Sequence, residues 1–370
     1  MRLCEICDSA NSSAFEEGEC HICKGNAMKT EQMVSEASAL LDKEGVKSFS
    51  ISTIIPKDWL IREEDVWDRK AGDSESIKNL LNRRISAALR KASGAEYSSD
   101  GECRMVFDYS KASVELQRNE LFVFGRYRKL AAGLSQSRWK CTKCDGKGCA
   151  QCGGKGKYYD SVEERIGEPF KKATEAQDYV MHASGREDVD ATNSAGRGFV
   201  LEIKNPKNRK IDHASLAKEI ATSKEVEVSD LRIVPRGFVE VVTESHFDKT
   251  YRAEVEFGRK IGAEDVAKMM SLEGKMILQQ TPARVAHRRA DLVRHRKVKK
   301  LEAADVRENN ATLTIKAEAG TYIKELISGD NGRTNPSIAG LLGTTATCRK
   351  LDVNSIGDGF LDFCLSARRE

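Results

Sequence analysis

Ala183-Ser184-Gly185-Arg186-Glu187-Asp188-Val189-Asp190-Ala191, followed shortly by Gly196-Arg197-Gly198-Phe199, is the stretch that decides how this chain folds and works. Apolar alternation at Tyr179 to Ala183 before it and at Phe199 to Ile203 after it predicts two strands, with the charged residues on the connection between them. The connection sets a carboxylate beside an arginine on a turn. Charged side chains in a loop after a strand are ordinarily a solvated surface, so the pattern alone leaves their role open.

Outward from this loop, residues 158–370 predict further short strands at Phe238 to Val242, Arg252 to Phe257 and Thr312 to Lys316, alternating with helices. That is an α+β pattern in which a mixed or antiparallel sheet is favoured over a doubly wound parallel one. On the N-terminal side, residues 29–137 are α+β as well. A helix near Glu31 to Lys43 stops at Gly45 and is followed by an alternating strand from Phe49. A second helix, Ser76 to Ala92, carries Ile77, Leu81, Ile85, Ala88 and Ala92 at helical spacing before Gly94. Short strands are expected at Met105 to Phe107, Ala112 to Leu116 and Leu121 to Phe124. Residues 138–157 form a Gly/Cys/Lys-rich linker that breaks the periodicity, and the domain boundary is expected there.

The chain has eleven cysteines, eight of them in C-x-x-C pairs, in a sequence whose start is polar and acidic rather than a signal peptide. A cytoplasmic address is expected, where thiols stay reduced and paired cysteines are better read as metal ligands than as disulfides. Cys4, Cys7, Cys20 and Cys23 have the spacing of two knuckles that meet tetrahedrally around a structural zinc, and residues 1–28 are too polar to fold on an apolar core of their own. Cys141, Cys144, Cys149 and Cys152 form a tighter set resembling the zinc repeats of DnaJ-type chaperones. A second zinc is one reading of it; incidental thiols on a metal-free linker, or a thiol oxidoreductase, are others.

The net charge of +4 is modest, but Pro282 to Lys300 holds eight Lys or Arg against Asp291 and so carries +7, leaving the remainder at −3. Such a run is a solvated helix face or a phosphate-binding arm, and Arg284, His287, Arg288 and Arg289 are the candidates for RNA backbone contacts. No stretch is long and apolar enough to span a membrane, and no obligate protein partner is evident.

Arg186-Glu187-Asp188 resembles the core motif of pseudouridine synthases, in which the aspartate is catalytic. Three other blocks resemble the remaining motifs. Lys249-Thr250-Tyr251-Arg252-Ala253 offers Tyr251 to stack on the target base, and Glu318 to Leu326 offers Tyr322, Ile323 and Lys324 beside the aspartate. Leu351, on a late strand, would close the pocket. The narrower resemblance is to the family called pseudouridine synthase ten, carried by GREDVDA, GRGFVLEIKNP, QTPARVAHRRADLVR and GTYIKELISGDNGRTNPS, with Gly198 standing where the family pattern has proline. It implies an N-terminal zinc module over residues 1–28 joined to a THUMP-like domain over 29–137, a catalytic domain over 158–370, and a tRNA substrate modified at uridine 54, 55 or both in the TΨC arm. It further implies Asp188 as nucleophile or base, Arg186 at the vacated base position or on a phosphate, and no organic cofactor. By analogy with other THUMP-like domains, Arg126, Arg128 and Lys129 would hold the acceptor end of tRNA. The rival expectation is a zinc-dependent tRNA-binding protein without catalysis, which would have no need of Asp188.

Overall fold

The structure, a computed structural model, describes residues 2–7, 19–68, 75–288 and 290–366, with only the backbone described at His287 and Arg288. Two units make up the chain, Met1–Glu120 with Lys204–Arg209, and Leu121–Ile203 with Lys210–Glu370.

The first unit contains α1 (Thr30–Lys43), β1 (Ser48–Ile54), α2 (Lys57–Trp67), α3 (Ile77–Ser93), β2 (Glu96–Tyr97), β3 (Cys103–Asp108) and β4 (Ser113–Arg118). Its sheet has the order β2-β1-β3-β4, with β1 parallel to both neighbours and β3 antiparallel to β4. Both expected helices form. The Ser76 side chain accepts a hydrogen bond from the Asn79 N–H to start α3, and Gly94 ends it at a φ of 70°, where a side chain would be strained. Ile77, Leu81, Ile85 and Leu89 share a core with Met33, Ala37 and Leu41 of α1. Cys4, Cys20 and Cys23 are buried in that same core. The cysteine module is therefore packed into the first unit.

The second unit holds the strands β5 (Leu121–Lys129), β6 (Asp178–Ala183), β7 (Thr192–Lys204), β8 (Val226–Ile233), β9 (Lys249–Phe257), β10 (Met276–Gln280), β11 (Val293–Arg307), β12 (Asn310–Ala317), β13 (Thr334–Asn335) and β14 (Ala346–Ile356). Among the described residues they form one sheet in the order β13-β10-β11-β12-β9-β14-β7-β5-β8, with β6 paired to β7. The sheet is mixed: β14 runs parallel to β7, and neighbours such as β9/β12 and β5/β7 are antiparallel. The helices are α4 (Val162–Thr174), α5 (His213–Ala221), α6 (Phe238–Thr243), α7 (Ala263–Met270), α8 (Ile323–Ser328), α9 (Ile338–Leu342) and α10 (Gly359–Ser366). Val162, Ile166 and Phe170 of α4 pack with Val123, Tyr127 and Phe199. Phe124 and Val200 pack with Phe238 and Leu361 in a separate cluster.

Three expectations are corrected. The domain boundary lies at Leu121, before the cysteine-rich linker, because β5 is paired on both sides, by β7 and β8, inside the second sheet. Residues 138–157 are then an excursion within that unit, closed by a backbone hydrogen bond from Cys141 N–H to Gly156 O. Phe238 to Val242 is a helix rather than a strand. Phe238 and Val242 are both fully buried four residues apart, a spacing that suits one helical face, and a five-residue apolar run is too short for periodicity to choose. The described part of the basic segment is not an α-helical face either: Ala283–Arg288 forms a 3-10 turn and the stretch from Val293 belongs to β11.

Candidate active site

The loop from Ser184 to Asp190 joins β6 to β7 at the edge of a cleft of about 580 Å³ in the second unit. Its shape is imposed by buried polar groups. Gly185 has a φ of 90°, and a Cβ there would press to 3.1 Å on the Arg197 guanidinium, so the position needs glycine. Glu187 turns inward, where Tyr127 Oη and Arg197 Nε each donate to its carboxylate at 2.9 Å, and Arg197 Nη1 donates to Ser184 O at 2.9 Å. The Glu187 and Arg197 side chains are each 1% exposed. A buried pair of this kind costs desolvation and is retained only with additional hydrogen bonds, which the loop carbonyl and Tyr127 supply.

Lys129 Nζ donates to Asp188 O and Val189 O, both at 2.9 Å. Burial lowers its pKa to about 8. With Glu187 directed into the interior and the backbone on either side of it tied down, the next side chain, Asp188, faces the cleft.

Two cations meet the Asp188 carboxylate. Arg284 engages it as a fork, Nη1 to Oδ1 at 2.9 Å and Nη2 to Oδ2 at 2.9 Å, while its Nε donates to Glu325 Oε1 at 2.7 Å. Burial opposes the charge on Arg284, yet Glu325 and Asp188 more than offset it and hold its pKa above the ordinary arginine value. Lys324 Nζ stands 3.5 Å from Asp188 Oδ2 and 2.5 Å from Asp190 Oδ1.

The apolar wall comes from three elements. Tyr251 on β9 is paired with Val353 on β14, and Leu351 lies two residues before Val353. Ile323 opens α8. Tyr251, Val353, Leu351 and Ile323 are all buried, and all line the cleft. Burial pushes the Tyr251 hydroxyl up to about 12, so it is neutral at physiological pH. Tyr322 lines the cleft half-buried, its backbone held by reciprocal 2.9 Å hydrogen bonds with the Gln279 amide. Arg186 lines the rim and is exposed.

The structure thus brings together Asp188, Arg186, Tyr251, Tyr322, Ile323, Lys324, Leu351 and Arg284. Arg284 is used differently from the expectation: its guanidinium is spent on Asp188 and Glu325 and is not presented outward to a phosphate. Arg289 lies outside the described residues, as do the side chains of His287 and Arg288. Arg126, Arg128 and Lys129, expected at the acceptor end of tRNA, are engaged within the second unit. Arg126 is paired with Asp358 and Asp362, Arg128 with Glu227, and Lys129 is fully buried under the loop. The sequence holds no signal for Glu325 or Lys129 as parts of the site, since their partners Arg284 and Asp188 lie far away along the chain, and none for Arg197, whose inward turn depends on the fold of the loop. Gly198, in place of the expected proline, lies within β7 opposite Arg126 and leaves the strand intact.

Each cysteine set converges. Cys4, Cys7, Cys20 and Cys23, and separately Cys141, Cys144, Cys149 and Cys152, have their sulfurs within 4.8 Å of one another. Sulfur separations of 3.6 Å for Cys4 and Cys23, and 3.8 Å for Cys141 and Cys149, are close to the roughly 3.8 Å edge of a tetrahedron with metal–sulfur bonds near 2.3 Å. In the second set, Gly148 and Gly156 donate backbone N–H groups to Cys144 and Cys152 Sγ at 3.2 Å. Both sets fit a four-thiolate metal ion.

The family described as Pus10, C-terminal, matches residues 122–357. A relative from Methanocaldococcus jannaschii named tRNA pseudouridine synthase Pus10 is 41% identical over 353 residues, covering 94% of this chain and 77% of that one. Its namesake from Archaeoglobus fulgidus is 36% identical over 361 residues, covering 96% of this chain and 100% of that one. Among solved structures, a Cbf5-Nop10-Gar1 complex aligns over 50% of this chain and 41% of its own, with a TM-score of 0.31 and 18% identity. On the family match and the identity to full-length relatives, the chain belongs to the Pus10 family of pseudouridine synthases, which are isomerases.

Proposed function

We propose that this enzyme acts on tRNA, converting uridine 54, uridine 55 or both in the TΨC arm, with Asp188 as the catalytic carboxylate. The observation that carries the reading is Asp188 itself, a carboxylate facing a cleft with one edge cationic and one wall apolar. Isomerisation conserves atoms. The N1–C1′ bond breaks with its electron pair leaving on the uracil, the base turns, C5 bonds to C1′, and the proton lost from C5 is matched by one gained at N1. No redox partner is required. What is required is an ionised carboxylate at the ribose, to attack C1′ or to take a proton from C2′. Arg284 and Lys324 hold the Asp188 carboxylate in place at the cleft edge.

Reaching the glycosidic bond requires the uridine to leave its stack, at a cost of a few kcal/mol that is smaller in a loop than in a duplex. Tyr251, with Leu351 and Ile323, supplies a flat apolar surface to receive the base, and Arg186 on the rim is suited to a phosphate or to the space vacated. The first unit is read as a THUMP-like RNA-binding domain, and the two thiolate tetrads as structural zinc sites.

The test is nucleotide-resolution pseudouridine mapping on unmodified tRNA incubated with the full chain. New pseudouridine confined to the TΨC arm supports the reading; modification elsewhere only overturns the choice of arm.

A further inference from the structure

Away from Asp188, the same cleft is lined by Arg294 and Arg296, two residues apart on β11 and therefore on one face of the strand. Their surroundings differ from those of several other arginines in this unit. Arg126, Arg138, Arg197, Arg259, Arg284 and Arg333 each sit within 4 Å of a carboxylate. Among the described residues, Arg294 and Arg296 have only neutral partners. Arg294 Nη1 donates to Thr281 Oγ1 at 2.9 Å and to Leu292 O at 3.3 Å, and its guanidinium lies 5.8 Å from the centre of the Tyr322 ring. Arg296 Nη1 donates to His295 O at 2.7 Å. Its Nε is buried without a hydrogen-bond partner. A buried donor left unpaired on a charged group is costly, and a bound acceptor is the ordinary way to satisfy it.

The adjoining turn leaves room for that side chain. Gly320 has a φ of 78°, and a Cβ there would stand 3.4 Å from Arg296 Nη2. The turn Ala319-Gly320-Thr321 follows β12, the strand paired with β11, and lines the cleft beside Arg296 without a side chain at its midpoint.

We propose that Arg294 and Arg296 form a binding site for one backbone phosphate of the RNA, next to the nucleotide whose base enters the Asp188 end of the cleft. The proposal rests on the reading that the cleft takes a uridine from an RNA chain. Two forks of donors, with no carboxylate within 4 Å among the described residues and lining the same cavity as the catalytic carboxylate, suit the monoanionic phosphodiester at that position. The role expected of Arg284 falls to these two residues, because Arg284 is already neutralised.

The experiment uses the full chain and a TΨC stem-loop in which single phosphates flanking the target uridine are replaced by neutral methylphosphonates. With wild type, one flanking replacement weakens binding about tenfold. With the double variant Arg294→Gln, Arg296→Gln, that replacement has no further effect, and the salt slope of tRNA binding falls by roughly 0.7 to 0.9 units for the one phosphate lost. Lys300→Gln, on the same strand but paired with Glu302, leaves the methylphosphonate penalty as in wild type. Should the double variant fold poorly, Arg296→Lys alone keeps the charge and loses the fork, and the penalty shrinks while the slope holds. An undiminished penalty in the folded variants overturns the site. A wild type that shows this coupling and makes no pseudouridine overturns the functional reading and leaves the phosphate site standing.

Discussion

Asp188 and Arg284 are 96 residues apart in sequence and share two hydrogen-bonding contacts in the structure. The aspartate was legible from its motif. The arginine was legible only as a member of a charge run, because a run looks the same whether its anion is an RNA phosphate or a carboxylate brought in by the fold. The two uses predict different kinetics. Arg284→Gln is expected to lower kcat by about a hundredfold, comparable to losing one preorganised donor, with the salt slope of tRNA binding unchanged. A phosphate contact would instead lower the slope by roughly 0.7 to 0.9 with little loss of kcat.

Lys129 and Lys249 supply a second residue-scale prediction. Burial brings each from an ordinary 10.5 to about 8. The unfolded chain therefore binds more protons than the folded one between pH 8 and 10.5, so these groups make stability rise with pH across that window. Below pH 8 both states are protonated and the cost of burying the charge is fully felt. Denaturant midpoints taken between pH 8 and 10 are expected to show a shallower rise in Lys249→Met than in wild type, and an identical pH profile would argue that Lys249 is not buried as a cation. Lys129 can still donate to Asp188 O and Val189 O after losing a proton, so the loop tether outlasts its titration.

At the scale of elements, the cysteine knuckles were readable because ligand spacing is a local property, whereas the place of those knuckles in the molecule was not. Cys4, Cys20 and Cys23 share a core with α1 and α3, and nothing in a C-x-x-C pair announces what packs behind it. The full chain is expected to hold one to two zinc per molecule after metal-replete expression. Stripping it with a chelator should unfold the first unit, visible as loss of the tertiary signal of Trp59, which lies in that core. Zinc below 0.5 per chain, or a chelator without effect on Trp59, contradicts a structural metal there. α3 was readable for another reason: a long amphipathic run bounded by Ser76 and Gly94 leaves periodicity little freedom. Phe238 to Val242 fits two periods equally, and only the packing against Phe124 and Leu361 chooses the helix.

For the whole molecule, the α+β class and the mixed sheet followed from alternation and turn residues, but the boundary did not. β5 precedes the cysteine-rich stretch and β7 follows it, and the two are neighbours in one sheet. A break in periodicity marks a loop as readily as a domain junction, and long-range strand pairing decides between them. The same pairing assembles the site, since Asp188, Tyr251, Arg284, Lys324 and Leu351 come from five separate segments of the second unit. The central claim is that this assembly serves one carboxylate. Asp188→Asn keeps the loop's shape and the Lys129 tether to the backbone while removing the group that can attack C1′ or accept a proton. The decisive measurement is pseudouridine formed per enzyme on unmodified tRNA, alongside tRNA affinity, for wild type and Asp188→Asn. The account predicts no pseudouridine at any position, with affinity equal to or slightly tighter than wild type; pseudouridine formation by the variant at the wild-type rate would contradict it.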